Sequence, residues 1–200
     1  AIDRRAVLDS AWGGKGTLIG SMVPPTDPWY EDLSDTYPYD PTKAKQLLEE
    51  AGYANGLTLR LRVPTLPYGP SIAKLVAAQL REVGIEVNVE ELDFSTWLSQ
   101  VYTQHDYDMT VVAHVEPWDL PQFANPNYYW QYNNPQFTEL INKADAAATN
   151  AEQETTLKEA AKLLADDAAA DWLFLLPNLV VTTTEISGIT TNTTGLSFDM

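Results

Sequence analysis

Residues 39–64, with the sequence YDPTKAKQLLEEAGYANGLTLRLRVP, carry the start and stop signals of a helix followed at once by the pattern of a strand. Asp40 can accept hydrogen bonds from the first turn, and Pro41 has its backbone angle preset for the first helical position. Gly52 supplies the left-handed residue that commonly ends a helix. Between these signals, the apolar residues fall on one helix face: Ala44, Leu47, Leu48 and Ala51. The pattern predicts a short amphipathic helix.

After Gly56 the spacing of apolar residues changes from the helical period of about 3.6 to the strand period of about 2. The side chains that point one way are apolar: Leu57, Leu59, Leu61 and Val63. Those that point the other way are polar: Thr58, Arg60 and Arg62. This alternation predicts a half-buried strand, which ends at Pro64.

Two more helices and two more strands are predicted beyond this strand. Pro70 begins a helix, residues 85–90 alternate as a strand, and Asp93 can cap a third helix. Residues 109–113, MTVVA, form a continuous apolar run that is typical of a strand covered on both faces. Strand, helix, strand, helix, strand over residues 57–113 predicts a parallel sheet with helices packed over it, and therefore an α/β fold.

The length of 200 residues suits a single domain or lobe in three consecutive parts. Residues 1–38 are predicted as the end of a helix followed by a long loop rich in glycine and proline. Residues 39–114 form the core of alternating strands and helices. Residues 115–200 supply a loop, two helices and terminal extended segments.

In residues 115–200, short sequence signals indicate two helices and two extended segments. Asn134 and Pro135 open one helix, and Asn150 with Gln153 offers a capping box for the next. Extended segments are expected at 172–176 and 179–184.

The composition excludes several classes of function. Twelve basic and 28 acidic residues give a formal net charge of -16, which repels phosphate backbones and argues against nucleic acid as a partner. The chain has no cysteine, so disulfides and thiolate metal sites are excluded. We expect no cofactor.

The candidate site lies where the third predicted strand ends, because ligands of open parallel sheets bind beyond the carboxyl ends of the strands. The strand ends at His114, and a loop with carboxylate and aromatic side chains follows. The candidate ligand-binding residues are His114, Glu116, Trp118, Asp119, Tyr129 and Trp130. The aromatic members either stack on a ligand or cover the sheet edge.

The polar members allow more than one interpretation. Glu116 and Asp119 could form a carboxylate pair for acid and base catalysis, lie exposed to water, or receive an ammonium group at the rim of the site. His114 and His105 are nine residues apart in sequence, roughly 30 Å along an extended path, so they cannot share a metal ion. We expect His114 to be partly buried and satisfied by a neighbouring backbone group.

Several motifs of the chain together resemble those of the family 5 extracellular solute-binding proteins, the oligopeptide-, dipeptide- and nickel-binding proteins of ABC importers. Most of the likeness lies in residues 39–53, with the pattern Y-D-P-x-K-A-x-x-L-L-x-E-A-G-Y. Further matches are spread over most of the chain: Ala1-Ile2-Asp3-Arg4, Leu80, Gly84-Ile85, Val87, Trp97 and Asp106-Tyr107-Asp108.

The resemblance implies a periplasmic-binding-protein-like lobe of type II, with a mainly parallel sheet between layers of helices. It also implies that residues 1–200 are the C-terminal lobe of a two-lobed protein that closes on its ligand, together with an N-terminal lobe that is missing here. In peptide-binding members, an aspartate in the loop after the third strand receives the amino terminus of the peptide. Matching Asp119 to Phe123 with the family's acidic-Pro-x-x-Phe pattern places Glu116 at that aspartate.

Three residues depart from the family pattern in this region. Ala113 stands where tryptophan is common, Glu116 replaces aspartate, and Leu120 replaces proline. These departures leave the ligand class open.

The function expected from the resemblance is capture of a peptide or similar amine-bearing solute for an ABC permease in the membrane. The protein would act outside the cytoplasm, in the periplasm or as a lipid-anchored lipoprotein at the cell surface, and would not be an enzyme. The alternatives are a carboxylate-dependent glycoside hydrolase using Glu116 and Asp119, and a module that binds a partner protein without transport.

Overall fold

The computed structural model describes residues 1–114, 119–177 and 181–187. Within them, helix α4 continues directly into a π-helix, and a short 3-10 helix precedes α5. The bounds are α1 Arg4–Trp12, α2 Pro41–Glu50, β1 Leu57–Pro64, α3 Gly69–Glu82, β2 Ile85–Leu92, α4 Phe94–Trp97, π-helix Leu98–Thr103, 3-10 helix Leu120–Ala124, α5 Pro135–Asp145 and α6 Asn150–Asp166. None of the helices in these ranges is long and apolar enough to cross a membrane.

The central sheet of the described residues pairs β1 with β2 in parallel. The register runs from Leu57 opposite Ile85 to Pro64 opposite Leu92. Helix α3 connects the two strands and buries Ile72 against the same apolar cluster as the strand residues. The predicted strand, helix and strand over 57–90 are thus confirmed, and with them the α/β fold.

The predicted third strand over residues 109–113 is reduced to a single bridge. Met109 pairs in parallel with Leu61, on the edge of β1 away from β2. Its N–H donates to the Arg60 carbonyl at 2.9 Å, and its carbonyl accepts from the Arg62 N–H at 2.9 Å. The prediction of a full third strand was therefore wrong, although this segment does lie beside β1.

The bridge stops for two local reasons. The next step of a parallel ladder would need an N–H at residue 64, and Pro64 has none. The Arg62 carbonyl, which the ladder would also use, accepts instead from the Thr110 hydroxyl at 2.7 Å. Further along, the Ala113 N–H donates to the Tyr68 hydroxyl at 2.8 Å. Side-chain hydroxyls therefore form hydrogen bonds with backbone groups that would otherwise pair with a neighbouring strand.

Ion pairs hold residues 106–108, which precede the Met109 bridge, beside β1. The Arg60 guanidinium contacts Asp106 at 2.9 Å and Asp108 at 3.4 Å. The Arg62 guanidinium contacts Asp106 at 2.7 Å and Glu90 of β2 at 2.7 Å. The polar face of β1 thus joins β2 on one side to residues 106–108 on the other.

Helix α2 has the predicted caps but does not bury its apolar face. The Asp40 carboxylate accepts from the Lys43 N–H at 2.8 Å. At the other end, the Tyr53 N–H donates to the Leu48 carbonyl at 2.8 Å, next to Gly52 with a φ of 89°. None of the ten residues of α2 is buried, and Leu47 is 51% exposed.

Two other helices begin at different residues from those expected. Helix α1 starts within the chain, where the Asp3 carboxylate accepts from the Ala6 N–H at 2.9 Å, so residues 1–12 hold its beginning as well as its end. Helix α6 is capped by Thr149, whose hydroxyl accepts from the Glu152 N–H at 3.3 Å. The capping box is thus displaced by one residue from Asn150 and Gln153.

The described residues form two large hydrophobic clusters and a smaller third one, which contains Trp97, Val101 and Tyr129. The first lies between the sheet, α1 and α3, and contains Val7, Leu61, Val63, Ile72, Ala73, Val76, Ala77, Leu80 and Val87. The second lies between α5, α6 and the 3-10 helix, and contains Val23, Leu120, Phe123, Phe137, Ile141, Ala144, Leu157, Ala160, Ala161 and Leu164.

The long loop 13–38 is attached to the first helix by Arg4. The Arg4 guanidinium donates to the carbonyls of Ile19 at 2.7 Å and Trp172 at 3.0 Å, and also to the carbonyl of Ser34. One partly buried side chain thus joins α1, two parts of the loop and the segment after α6.

The predictions for the two terminal extended segments are only partly confirmed. In the segment 172–176, Leu175 forms an isolated antiparallel bridge with Thr17 rather than a strand. Of the segment 179–184, residues 179 and 180 lie outside the described residues, and the remainder is not assigned as a strand.

Candidate ligand-binding site

The His114 side chain holds two other candidate residues at once. Its Nδ1 lies 2.8 Å from Oδ2 of Asp119, and its Nε2 lies 2.7 Å from the hydroxyl of Tyr129. The Asp119 side chain is 6% exposed and that of His114 is 18% exposed. These three residues, called here the His114 cluster, are therefore mostly withdrawn from water.

Burial keeps the Tyr129 hydroxyl protonated. Desolvation, with smaller contributions from Tyr107, Tyr128 and other neighbours, raises the pKa of Tyr129 above its usual value. Since the hydroxyl retains its proton, it can donate to Nε2 of His114. The proton of a neutral imidazole then lies on Nδ1, where it can be donated to Asp119.

Several aromatic side chains contact Tyr129 and fix its position. Trp97 of α4 contacts its ring edge-on at a centroid distance of 5.8 Å, and Tyr102 of the π-helix lies 5.4 Å away. The Tyr107 hydroxyl donates to the backbone carbonyl of Tyr129. The Trp97 indole N–H donates to the Thr110 hydroxyl at 3.0 Å. Tyr129 is thus held through both its ring and its backbone.

Trp130 connects the His114 cluster to the helical core. Its ring stacks on Phe123 with a centroid distance of 3.9 Å and an interplanar angle of 8°. Its centroid also lies 5.2 Å from that of His114. Phe123 packs in turn on Phe137 of α5. The cluster therefore lies where the sheet and the helical core meet.

The structure brings together four of the six candidate residues: His114, Asp119, Tyr129 and Trp130. Glu116 and Trp118 lie outside the described residues. The partners of His114 are side chains rather than the expected backbone group. The Asp119 side chain is buried, so its position differs from that of a carboxylate at an exposed rim.

The metal-binding alternative gains no support from the described residues. Residues 1–114, 119–177 and 181–187 contain no group of three or more histidine, cysteine, aspartate or glutamate side chains arranged to hold an ion. Both ring nitrogens of His114 already have protein partners.

Sequence reasoning missed the hydrogen bonds within the His114 cluster. The spacing of five residues between His114 and Asp119 allows the two side chains to meet across a loop, and this signal was present in the sequence. The contact between His114 and Tyr129 joins residues 15 apart in sequence through tertiary packing, so no local sequence pattern predicts it.

Comparison with known proteins places the chain among bacterial binding proteins. The family model described as "Bacterial extracellular solute-binding proteins, family 5 Middle" matches residues 1–136. Heme-binding protein A of Haemophilus influenzae is 28% identical over 188 residues, which are 84% of this chain and 33% of that protein. Di/tripeptide-binding protein 3 of Pseudomonas aeruginosa is 29% identical over 112 residues, 53% of this chain and 21% of that protein.

The fold is shared with solved structures. The oligopeptide-binding protein AppA of Bacillus subtilis, in complex with a nonapeptide, superposes with a TM-score of 0.76 at 20% identity. The match covers 88% of this chain and 40% of that one. The chain therefore spans less than half the length of each of these proteins.

Proposed function

Because the chain belongs to the bacterial extracellular solute-binding proteins of family 5, we propose that it is the C-terminal lobe of an importer's solute-binding protein. The proposed solutes are peptides or similar amine-bearing molecules. An N-terminal lobe outside residues 1–200 would close with it around the solute, and an ABC permease would accept the loaded, closed form. The protein would work outside the cytoplasm, attached to the membrane surface by a lipid anchor.

The observation that carries this proposal is the His114 cluster at the end of the segment that follows β1 in the sheet. The hydrogen bond between His114 and Asp119 lies at a mostly buried position. Open α/β sheets bind ligands beyond the carboxyl ends of their strands. The hydrogen bonds and ring contacts hold the cluster rigidly, as a binding site requires.

Within this proposal, Glu116 receives the ammonium group of the solute and Trp118 contributes an apolar wall. Both roles rest on the sequence pattern, with Asp119 and Phe123 as the matched positions. A carboxylate can receive an ammonium group through charge-assisted hydrogen bonds without an unusual pKa.

Peptides are favoured over a metal complex held through His114. The relatives named above bind heme or peptides by their names, so the family as a whole does not decide the solute. In this chain, Nδ1 of His114 is hydrogen-bonded to Asp119 and Nε2 to Tyr129, so both ring nitrogens already have protein partners and neither is available to ligate iron.

The decisive experiment compares Glu116→Gln with the unaltered full-length protein by calorimetry, using a dipeptide and its N-acetylated form. We expect the unaltered protein to bind the free dipeptide more tightly, and Glu116→Gln to lose at least tenfold in affinity for it, because charge-assisted hydrogen bonds contribute about 1.5–3 kcal/mol. Equal affinity of the two proteins for the free dipeptide would refute the role of Glu116.

Glu139→Gln serves as the matched control. Glu139 is exposed on α5, so this variant removes the same charge at a position outside the candidate residues. We expect its affinity for the dipeptide to equal that of the unaltered protein.

The glycoside hydrolase hypothesis is less well supported. It requires Asp119 to face a sugar, whereas this carboxylate is 6% exposed and engaged by His114 at 2.8 Å. The relatives and the solved structure named above are binding proteins.

A further inference from the structure

We propose that the cavity beside Arg4 is an internal water site, in which one water molecule joins the Arg4 guanidinium, the Asp171 carboxylate and the indole N–H of Trp172. All three side chains line this cavity and belong to the described residues. The inference does not depend on the proposed function. It adds a bound component to the junction of α1, the loop 13–38 and the segment after α6.

The size of the cavity suits a single water molecule. Its volume is about 30 Å³, and a cavity needs about 10–15 Å³ to hold one water. The polar lining also includes Ser34 and Thr36 of the loop. A water molecule is stable in a protein interior where it has two to four polar partners. The space and the polar groups that such a site requires are therefore both present.

The indole N–H of Trp172 is the first group that needs a partner. Its nitrogen is buried, and it has no hydrogen-bond partner among the residues that the structure describes. An indole N–H can only donate, and a buried donor without an acceptor destabilises a fold. Buried polar groups are nearly always paired with protein or with ordered water. An acceptor oxygen in the cavity would satisfy this donor.

The Nε–H of Arg4 is the second group. A guanidinium has five N–H donors, and three hydrogen bonds from Nη1 and Nη2 of Arg4 go to backbone carbonyls. Its Nε lies 3.9 Å from Oδ1 of Asp171, which is longer than the usual hydrogen bond of about 2.7–3.2 Å. A polar contact of this length is typical of two groups that share a water. The Arg4 side chain is 14% exposed, so the bulk solvent reaches it poorly.

The charges around the cavity favour water over an ion. A cation in the cavity would be repelled by the Arg4 guanidinium, and an anion would be repelled by the Asp171 carboxylate. Water is neutral and can accept from both N–H groups while it donates to Asp171. Its second proton can be donated to the hydroxyl of Ser34 or Thr36. One molecule thus satisfies the groups on every polar side of the cavity.

The walls of the cavity are held in place from several sides. The carbonyls that accept from Arg4 belong to the loop and to Trp172. The two parts of the loop are already in contact, because a Cβ at Gly20 would overlap the backbone of Leu33. The Trp172 ring packs edge-on against Phe123 at a centroid distance of 5.7 Å. Arg4 and Asp171 are therefore not free to close the cavity by moving together.

The first test is a high-resolution crystal structure of the full-length protein. We expect one ordered water within about 3.2 Å of Nε1 of Trp172, Nε of Arg4 and the Asp171 carboxylate. A direct hydrogen bond between Arg4 Nε and Asp171, or an indole N–H that donates to a protein group, would overturn the proposal.

The second test detects the water in solution by NMR of the full-length protein labelled with ¹⁵N tryptophan. Trp172→Phe removes the indole signal of Trp172 and so identifies it. We expect a through-space transfer of magnetisation from a long-lived water to this N–H. A Trp172 indole signal without such a transfer would contradict an internal water at this position.

The third test asks whether Asp171 holds the water. Asp171→Ala removes the acceptor, whereas Asp171→Asn keeps one acceptor oxygen. Asp166→Ala is the matched control, because the Asp166 side chain is 46% exposed, that of Asp171 is 43% exposed, and Asp166 does not line the cavity.

We expect the transfer from water to the Trp172 N–H to fall roughly fivefold in Asp171→Ala, from the usual contribution of a hydrogen bond. Asp171→Asn and Asp166→Ala should keep most of the transfer. An equal transfer in Asp171→Ala and the unaltered protein would overturn the proposal, since the water would then be held without the Asp171 carboxylate.

Discussion

Asp93 shows how much local structure a single side chain can determine. Its carboxylate caps α4, accepting from the Thr96 N–H at 3.0 Å and from the hydroxyls of Ser95 and Thr96 at 2.5 Å each. These hydrogen bonds, with that of the Ser95 side chain largest, lower the pKa of Asp93 from 3.8 to about 2. The charged form is therefore favoured in the folded protein.

This shift predicts a pH-dependent contribution to stability. Since the pKa of Asp93 is lower in the folded than in the unfolded chain, its charge stabilises the fold above pH 3.8, and that contribution is lost as the pH falls towards about 2. Asn can also cap a helix but does not titrate. We expect urea unfolding to show the unaltered protein as more stable than Asp93→Asn at neutral pH, with the difference shrinking between pH 4 and pH 2.

The control for this prediction is Asp35→Asn, which removes an exposed carboxylate from the loop before α2. We expect the free energy of unfolding to change less in this variant across the same pH range. A constant difference between Asp93→Asn and the unaltered protein from pH 7 to pH 2 would contradict the assignment of the shift to Asp93.

At the scale of helices and strands, the local signals that start and end a helix do not determine whether its apolar face is buried. The caps of α2 were predicted correctly from Asp40, Pro41 and Gly52, because capping depends on neighbours within one turn. Whether its apolar face would be covered depends on distant parts of the chain. The face remains open in the described lobe, where Leu47 is 51% exposed.

This difference predicts unequal costs of truncating two helices. Leu47→Ala should change the free energy of unfolding of the 200-residue chain by less than about 1 kcal/mol, since little apolar surface returns to water. Phe137→Ala, at a position of 0% exposure in α5, should cost about 3–5 kcal/mol. Chemical unfolding followed by tryptophan fluorescence would measure both. Similar losses in the two variants would contradict the exposed position of α2.

The third strand illustrates a limit of periodicity. Residues 109–113 have the apolar run of a covered strand, yet pairing ends after Met109. The cause lies in β1, where Pro64 lacks the N–H needed for the next step. Proline at residue 64 was visible in the sequence, but its effect on residue 111 depends on a register that only the assembled sheet reveals.

At the scale of the whole molecule, the candidate site stays a prediction, whereas the contacts among its described members are new in the structure. The rule that ligands bind beyond the carboxyl ends of parallel strands led to residues 114–132. Within that range, the structure joins His114, Asp119 and Tyr129. These contacts depend on how α4 and the segment before α5 pack together, and sequence spacing does not contain that information.

From the proposed two-lobed architecture, residues 1–200 are also expected to bind solutes weakly by themselves. In a two-lobed binding protein, much of the ligand surface is buried by the opposite lobe. We predict that calorimetry with a dipeptide will show at least a hundredfold lower affinity for residues 1–200 than for the full-length protein. Equal affinities would indicate that this lobe alone forms the complete site.

The contacts of Arg4 bring α1 and the segment that follows α6 to one place. Its guanidinium donates to the Trp172 carbonyl at 3.0 Å and lies 3.9 Å from the Asp171 carboxylate. A segment whose two ends meet can be joined head to tail by a short linker and reopened elsewhere without disturbing its core. The exposed turn at residues 54–56, between α2 and β1, is a suitable place for the new ends. The stretch from Arg4 to Trp172 is therefore a natural subject for circular permutation, and the same geometry would allow it to be inserted as a cassette into a surface loop of an unrelated host protein.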